Sequence, residues 1–257
     1  MITDFVSEIA GILLPRFCAV CGQKLKRSED HICSACLHRM PLTYFWTLRR
    51  HDMSTSLNEK IQKLRDQQGI SYYEPFADAV ALYFYKEGYK DISKAVKYHA
   101  NLPLGRYAGA RLGSLMAQSS IYADVDLVVP VPLHWTRRLK RGYNQADVIA
   151  RAIAAELGAE TDSKLLVRAS RTQSQAKISQ EERSANVKGV FAVDMKRLQH
   201  ILSCSNPKHI VLVDDVFTTG ATLSEAHRCL RHAIAGVAQK NGSGIKISVA
   251  TLACVGE

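Results

Sequence analysis

The sequence predicts an α/β fold with a mostly parallel sheet flanked by helices, preceded by a small amino-terminal four-cysteine module. Three observations lead there. Apolar, β-branched runs at 125–132, 209–215 and 246–252 alternate with helical stretches, the order expected of a parallel sheet covered on both faces. Four of the seven cysteines fall between Cys18 and Cys36, in two C-x2-C pairs. A chain of 257 residues that is 47% hydrophobic suits one or two domains with a buried core.

Charge and hydropathy narrow the class. Lys and Arg number 34 against 24 Asp and Glu, a formal balance of +10 that points to anionic ligands. No apolar run approaches the roughly 20 residues of a membrane helix. The first 15 residues carry Asp4 and Glu8 and no Lys or Arg, which argues against a secretory signal. The expectation is a soluble, cytoplasmic protein with no membrane span.

Taken in order, Phe5, Ile9, Ile12 and Leu13 share one helical face that ends at Pro15. Cys18, Cys21, Cys33 and Cys36 follow. Each pair flanks a tight turn that aims two thiolates at one point, and two such turns make the tetrahedral sulfur cage that Zn2+ prefers. With all four positions filled by thiolate the metal would be structural. Paired disulfides are the alternative, disfavoured in a reducing cytosol, and a redox role would suit one pair but not both. The expected domains are a module over 1–45, a connector over 46–75 and an α/β domain over 76–257.

Residues 42–71 read as a polar connector with some helix around 58–66. Strand is expected at 77–85, helix at 91–99 with Ile92, Ala95 and Val96 inward, and helix again at 104–116 after Pro103. The strand at 125–132 leads to a helix at 146–157 stopped by Gly158. A strand-to-loop segment at 165–171 precedes a helix that starts near Glu181 and Glu182, then a short apolar run at 189–193. Strand at 209–215, helix at 222–234 and strand at 246–252 complete the chain. Cys204, Cys229 and Cys254 lie far apart and read as ordinary buried cysteines.

The most informative segment is Val211-Leu-Val-Asp214-Asp215-Val-Phe-Thr218-Thr219-Gly220-Ala221-Thr222. A buried strand delivers two adjacent carboxylates at its carboxyl end, where ligands bind in open α/β sheets. A turn of small residues then opens a helix, and its N–H groups and hydroxyls make an anion site. Gly220 allows a positive φ or close ligand approach. The carboxylates repel phosphate and suit hydroxyls or a metal-bridged sugar beside it. The ligand asked for has a phosphate at one end and a diol or Mg2+ complex next to it.

These residues resemble the signature of type I phosphoribosyltransferases that binds 5-phosphoribosyl-1-pyrophosphate (PRPP). The resemblance implies that Asp214 and Asp215 hold the ribose hydroxyls. It assigns the 5-phosphate to Thr218, Thr219, Gly220, Ala221 and Thr222, with Mg2+ accompanying PRPP. The turn at Val131 and Pro132, with Arg137, Arg138, Lys140 and Arg141, falls where such folds keep the pyrophosphate loop. Its cations could equally meet a nucleic-acid backbone. Arg171, Thr172, Gln173, Gln175, Arg183 and Asn186 fall where the flexible catalytic loop usually lies.

With the four-cysteine module, these segments resemble the ComF family (ComFC and GntX-like proteins), tied to competence and DNA uptake. The family implies a type I phosphoribosyltransferase-like domain that binds PRPP or a related ligand and serves as an accessory in DNA uptake or processing. Its implied partners are single-stranded DNA and competence or DNA-processing proteins. The alternative is a working phosphoribosyltransferase in nucleotide salvage, releasing pyrophosphate as the sugar passes to a nitrogenous base. No catalytic residue is assigned. The last expected strand runs nearly to the final residue, so an acceptor pocket would come from the connector and residues 76–110. His99, His134 and Tyr143 are conceivable acceptor contacts, though each equally suits packing or surface.

Overall fold

A computed structural model of the chain describes residues 16–67, 69, 74–86, 88–98, 101–133, 136, 139, 141–168, 190–205, 207–237 and 244–256. The helix expected over 5–13 lies outside the described residues. So do Arg137, Arg138, Lys140, His99, His134 and every position proposed for the flexible loop from Arg171 to Asn186.

Five parallel strands form the sheet, in the order β1 (Ala79–Phe84), β7 (Lys246–Cys254), β6 (His209–Phe217), β2 (Leu127–Pro130), β3 (Glu160–Thr161). Ile210, Val211, Leu212 and Val213 of β6 are fully buried, as are Val249 and Ala250 of β7, so helices cover both faces. That burial explains why these strands read as continuous apolar runs rather than alternating ones. A separate antiparallel pair joins β4 (Leu166–Arg168) to β5 (Phe191–Val193).

Helices α3 (Tyr89–Tyr98), α4 (Leu102–Ala117) and α5 (Gln145–Leu157) precede this pair in the chain. Asn101 caps α4 by accepting from Leu104 N at 3.1 Å, and Gly158 ends α5 at φ +67°. Gly109 and Gly113 let α4 and α5 approach backbone to backbone. A Cβ on Gly113 would sit 2.9 Å from Ile153 Cα, and one on Gly109 would sit 2.9 Å from the Ile149 carbonyl oxygen. Later come α6 (Met195–Cys204) and α7 (Ala221–Val237).

Two elements differ from expectation by their presence. The two-residue β3 is too short to give a pattern. α6 buries only Leu198, although Asp194 accepting from Arg197 N at 3.1 Å is an N-cap signal the sequence does carry. Cys204, in the last turn of α6, is exposed, and Cys229 is half-buried; only Cys254 of the three is buried as expected. Cys204 sits on a different helical face from Leu198 and gains no cover.

The stretch after the cysteine module is more ordered than its polarity suggests. A 3-10 turn (Phe45–Thr47) and α2 (Asp52–Asp66), preceded by α1 (Ser34–Arg39) in the module, bury Phe45, Trp46, Met53, Leu57 and Ile61. The helix begins at Asp52 rather than 58 because His51 and Ser54 form a reciprocal capping box. Phe84 N donates to Pro41 O at 2.8 Å and Thr43 N to Leu82 O at 3.2 Å. This segment therefore covers the outer edge of β1, which would otherwise offer unpaired backbone.

Alanine at both Gly109 and Gly113 gains about 1 kcal/mol of helix propensity per site. The forced separation of α4 and α5 costs about 1–3 kcal/mol per site. The double substitution is expected to lower stability, and urea unfolding with an unchanged or raised midpoint would contradict the close packing.

Candidate functional site

The cysteine module is a short hairpin followed by a single helical turn. Cys18 N donates to Gln23 O and Leu25 N to Arg16 O, both at 2.8 Å, and Phe17 bridges Lys24 across the hairpin. The four sulfurs converge: all lie within 4.8 Å of one another, with Cys21 Sγ and Cys33 Sγ 3.8 Å apart. Thiolates about 2.3 Å from a tetrahedral ion lie about 3.8 Å from each other, so the four cysteines are positioned to hold one metal ion. Backbone N–H groups already point at the sulfurs. Cys18 Sγ accepts from Cys33 N at 3.3 Å and Val20 N at 3.5 Å, and Cys33 Sγ accepts from Cys36 N at 3.4 Å.

Charge is divided unevenly within the cage. Burial opposes ionisation of Cys18, yet the N–H bonds from Cys21, Cys33 and Val20 outweigh it and bring its pKa down to about 6. Burial and then the neighbouring thiols push Cys36 up to about 12. A divalent cation at the centre would remove that second penalty.

Glu29, which the sequence did not single out, holds the two knuckles together. Its carboxylate accepts from Lys26 N at 2.8 Å, Ser34 N at 2.7 Å and the Ser34 hydroxyl. The Ser34 bonds first and then the Lys26 N–H lower its pKa to about 2. A Glu five residues before a Ser that opens a helix is the only sequence trace of this clamp.

The second candidate region lies at the carboxyl edge of the sheet. β6 continues through Asp214 and Asp215 to Phe217, pairing Asp214 with Thr251 of β7, and leaves both carboxyl side chains half-buried. Asp215 N donates to Asp214 Oδ1 at 2.8 Å. Thr218, Thr219, Ala221 and Thr222 are exposed where the chain turns into α7. Gly220 makes that turn at φ +78°, and a Cβ there would lie 2.5 Å from the Phe217 ring, so both conformation and space demand glycine. Ser224 N donates to Gly220 O at 2.9 Å and starts the helix, which leaves the N–H groups of its first turn directed out of the sheet edge.

The adjacent turn is brought alongside. Val131 N donates to Val213 O at 2.8 Å, placing Val131 and Pro132 beside the acidic strand. Asn144 secures them: its Nδ2 donates to Val131 O at 3.0 Å while Oδ1 accepts from Ala146 N at 3.3 Å to cap α5. Arg141 donates to Gln145 Oε1 at 3.0 Å. Tyr143 is half-exposed and lies close enough to Gln145 to share its side-chain hydrogen bonding. Tyr89, absent from the expected site, is buried with its hydroxyl donating to Asp215 O at 3.5 Å.

The opposite edge of the sheet carries an arrangement that invites a different interpretation. His209 Nδ1 lies 2.7 Å from Asp124 Oδ1 and its Nε2 lies 2.7 Å from Ser248 Oγ. This has the connectivity of a hydrolase triad. However, His209 and Ser248 are fully buried at the starts of β6 and β7, so no substrate reaches the hydroxyl. Burial and then Lys246 lower the His209 pKa, against the pull of Asp124. The relay satisfies polar groups that the sheet buries.

Comparison with known proteins places the chain among DNA-related relatives. It is 28% identical over 232 residues to DNA utilization protein YhgH of Salmonella typhimurium, covering 88% of this chain and 96% of that one. Competence protein F of Haemophilus influenzae is 32% identical over 106 residues, 41% of this chain and 44% of that one. Competence protein ComFC of Bacillus subtilis is 26% identical, covering 84% and 78% of the two chains. No protein-family profile matches the chain. Among solved structures, a glutamine PRPP amidotransferase from B. subtilis complexed with ADP and GMP overlaps 56% of this chain and 35% of its own. Its identity is 16% and its TM-score 0.29, too slight a likeness to weigh here. Among the described residues, no helix is long and apolar enough to cross a membrane.

The Glu29 clamp yields a pH dependence of definite sign. Its folded pKa, about 2, lies below the ordinary value of 4.5. Its contribution is therefore fully present above that ordinary value and is lost as pH falls toward 2. Glu29→Gln should shrink the loss of module stability over that interval, measured by tryptophan fluorescence or metal retention. An identical acid profile in the variant would remove the clamp.

Proposed function

We propose that this chain, a homologue of the ComF-type competence and DNA utilization proteins, is a cytoplasmic PRPP-binding accessory of DNA uptake or processing. The observation that carries the proposal is the end of β6. Two half-buried carboxylates are followed by a glycine turn at φ +78° and exposed threonines that open α7. The helix N-terminus with its threonine hydroxyls suits the 5-phosphate. Asp214 and Asp215 stand where the ribose hydroxyls follow, and the Val131–Pro132 turn stands where the pyrophosphate would lie. Mg2+ bound with PRPP would neutralise that pyrophosphate.

In the same reading the four cysteines hold Zn2+, structural because thiolates fill every position. A reducing cytoplasm suits four free thiols kept as ligands rather than as disulfides. The module's task is positional. Val20 and Met40 lie against Gly88, and the His31 ring sits edge-on to Tyr107 at 5.5 Å, which seats the module on the carboxyl edge of β1 and on α4. The competence-related names of the relatives support the DNA role, and transfer to a nitrogenous base in nucleotide salvage is the alternative.

Three measurements test these assignments. Calorimetry should show PRPP binding in the presence of Mg2+, weakened at least about 100-fold, ~3 kcal/mol, in Asp214→Asn/Asp215→Asn. Equal affinity in the double variant removes the sugar role, and a screen for pyrophosphate release across bases separates a binder from a transferase. Metal analysis should find about one zinc per chain, lost in Cys33→Ser together with cooperative unfolding of the module. A zinc-free protein with an intact module would end the metal assignment.

A further inference from the structure

Strands β1, β7 and β6 share an irregularity near their carboxyl ends. Their pairing skips one row, Leu82, Leu252 and Asp215, and resumes beyond it in the same register. The backbone changes side across that row. In β6, His209 and Val213 turn their carbonyls toward β2, accepting from Asp126 N and Val131 N. Phe217, which strict alternation would face the same way, instead turns its carbonyl toward β7 and accepts from Val255 N. In β1 the consecutive carbonyls of Ala81 and Leu82 both face outward, to the Thr43 hydroxyl and the Thr43 N–H. A regular strand alternates bonding edge and side-chain face together, so its neighbours point to opposite faces of the sheet. The changed row releases Asp214 and Asp215 from that rule. Asp214, Asp215 and Val216 are accordingly all half-buried, with no alternation among them.

Side chains brace the backbone at this row. Asp215 N donates to Asp214 Oδ1 at 2.8 Å, and Asp215 O accepts from the Tyr89 hydroxyl at 3.5 Å. On β7 the Thr251 hydroxyl donates to Ala253 O at 2.9 Å. Tyr89 is itself firmly held. It opens α3 directly after Gly88, against which Val20 and Met40 of the cysteine module lie. Its ring packs against those of Tyr83 and Tyr85, each 5.7 Å away, and is buried. Burial first, then Asp215, the two tyrosines and Asp214, push its pKa well above the usual tyrosine value. The hydroxyl therefore keeps the proton it gives to the carbonyl. We infer that Tyr89 is a positioning residue for the phosphoribosyl site. Through the Asp215 carbonyl its hydroxyl sets the aim of the Asp214–Asp215 pair, and with it the choice of a ribose over a deoxyribose phosphate. The inference rests on the sugar role proposed above for the two carboxylates. A carboxylate favours a sugar hydroxyl only at a proper distance and angle, so a loosened backbone loses selectivity before it loses the phosphate.

The test is calorimetric titration of the full chain with ribose 5-phosphate and with 2-deoxyribose 5-phosphate, in the parent and in Tyr89→Phe. The parent should favour the ribose ligand at least about 10-fold, the effect of one hydroxyl bonded to a charged acceptor. Tyr89→Phe removes one oxygen and keeps both ring contacts. It should lower that preference at least about 3-fold, with the loss falling on the ribose ligand. A merely structural role would not move this ratio. Both titrations are made on one preparation, so a partly unfolded variant changes their stoichiometry together and leaves the ratio readable. A parental ratio in Tyr89→Phe, or an equal loss on both ligands, overturns the positioning role and leaves the sugar role of the carboxylates standing. A parent that binds both sugars equally, or binds neither, overturns the sugar role and the role of Tyr89 with it.

Discussion

The parallel pairing of β6 between β7 and β2 is the constraint on which the rest of the molecule hangs. Buried on both faces and bonded on both edges, β6 has no freedom of register, because a one-residue slip would turn its apolar set against the wrong layer. The chain must therefore leave the sheet at Phe217, carrying Asp214 and Asp215 to the carboxyl edge. Neighbours are then fixed from the same strand. Val131 is tied to Val213, Val255 to Phe217 through a 2.8 Å bond, and Tyr89 to Asp215. Gly220 must fold against the Phe217 ring for α7 to start where it does.

The two edges of the sheet handle polar groups in opposite ways. At the amino edge, Asp78 is buried and meets both Arg49 at 3.3 Å and Lys246 at 3.0 Å, while His209 is held between Asp124 and Ser248. Charges there are matched because an unmatched one would cost several kcal/mol in the interior. At the carboxyl edge the two carboxylates are half-buried and the threonine turn is exposed. The asymmetry follows from the parallel sheet itself, whose strand ends and helix N-termini gather on one side.

The metal module gains a meaning from this asymmetry. Taken alone it is a small hairpin with a sulfur cage, in which Arg16 meets Asp30 and Glu29 is engaged with Ser34. Through Val20 and Met40 on Gly88 and His31 on Tyr107, it is seated against the carboxyl end of β1 and against α4. A chain this size has ample core to fold without a metal staple. The cysteines thus hold a surface in place as much as they hold the fold.

What the sequence by itself determined is local in kind. Pairs of cysteines two apart announce converging thiolates, continuous β-branched runs announce buried strands, and Asp-Asp before Thr-Thr-Gly announces a strand end opening a helix. Each of these is written within a dozen residues, so it survives without knowledge of the fold. Other features depend on segments distant in the chain. Tyr89 on Asp215, Asn144 on Val131 and the cover that residues 41–47 give β1 are made by packing, and no spacing encodes them. The sequence gathers part of the charge excess at Arg137, Arg138, Lys140 and Arg141, but net charge does not say which cations find acids. Only the tertiary structure decided that, by folding distant segments together, as where Arg49 and Lys246 meet Asp78 and Arg197 meets Asp162.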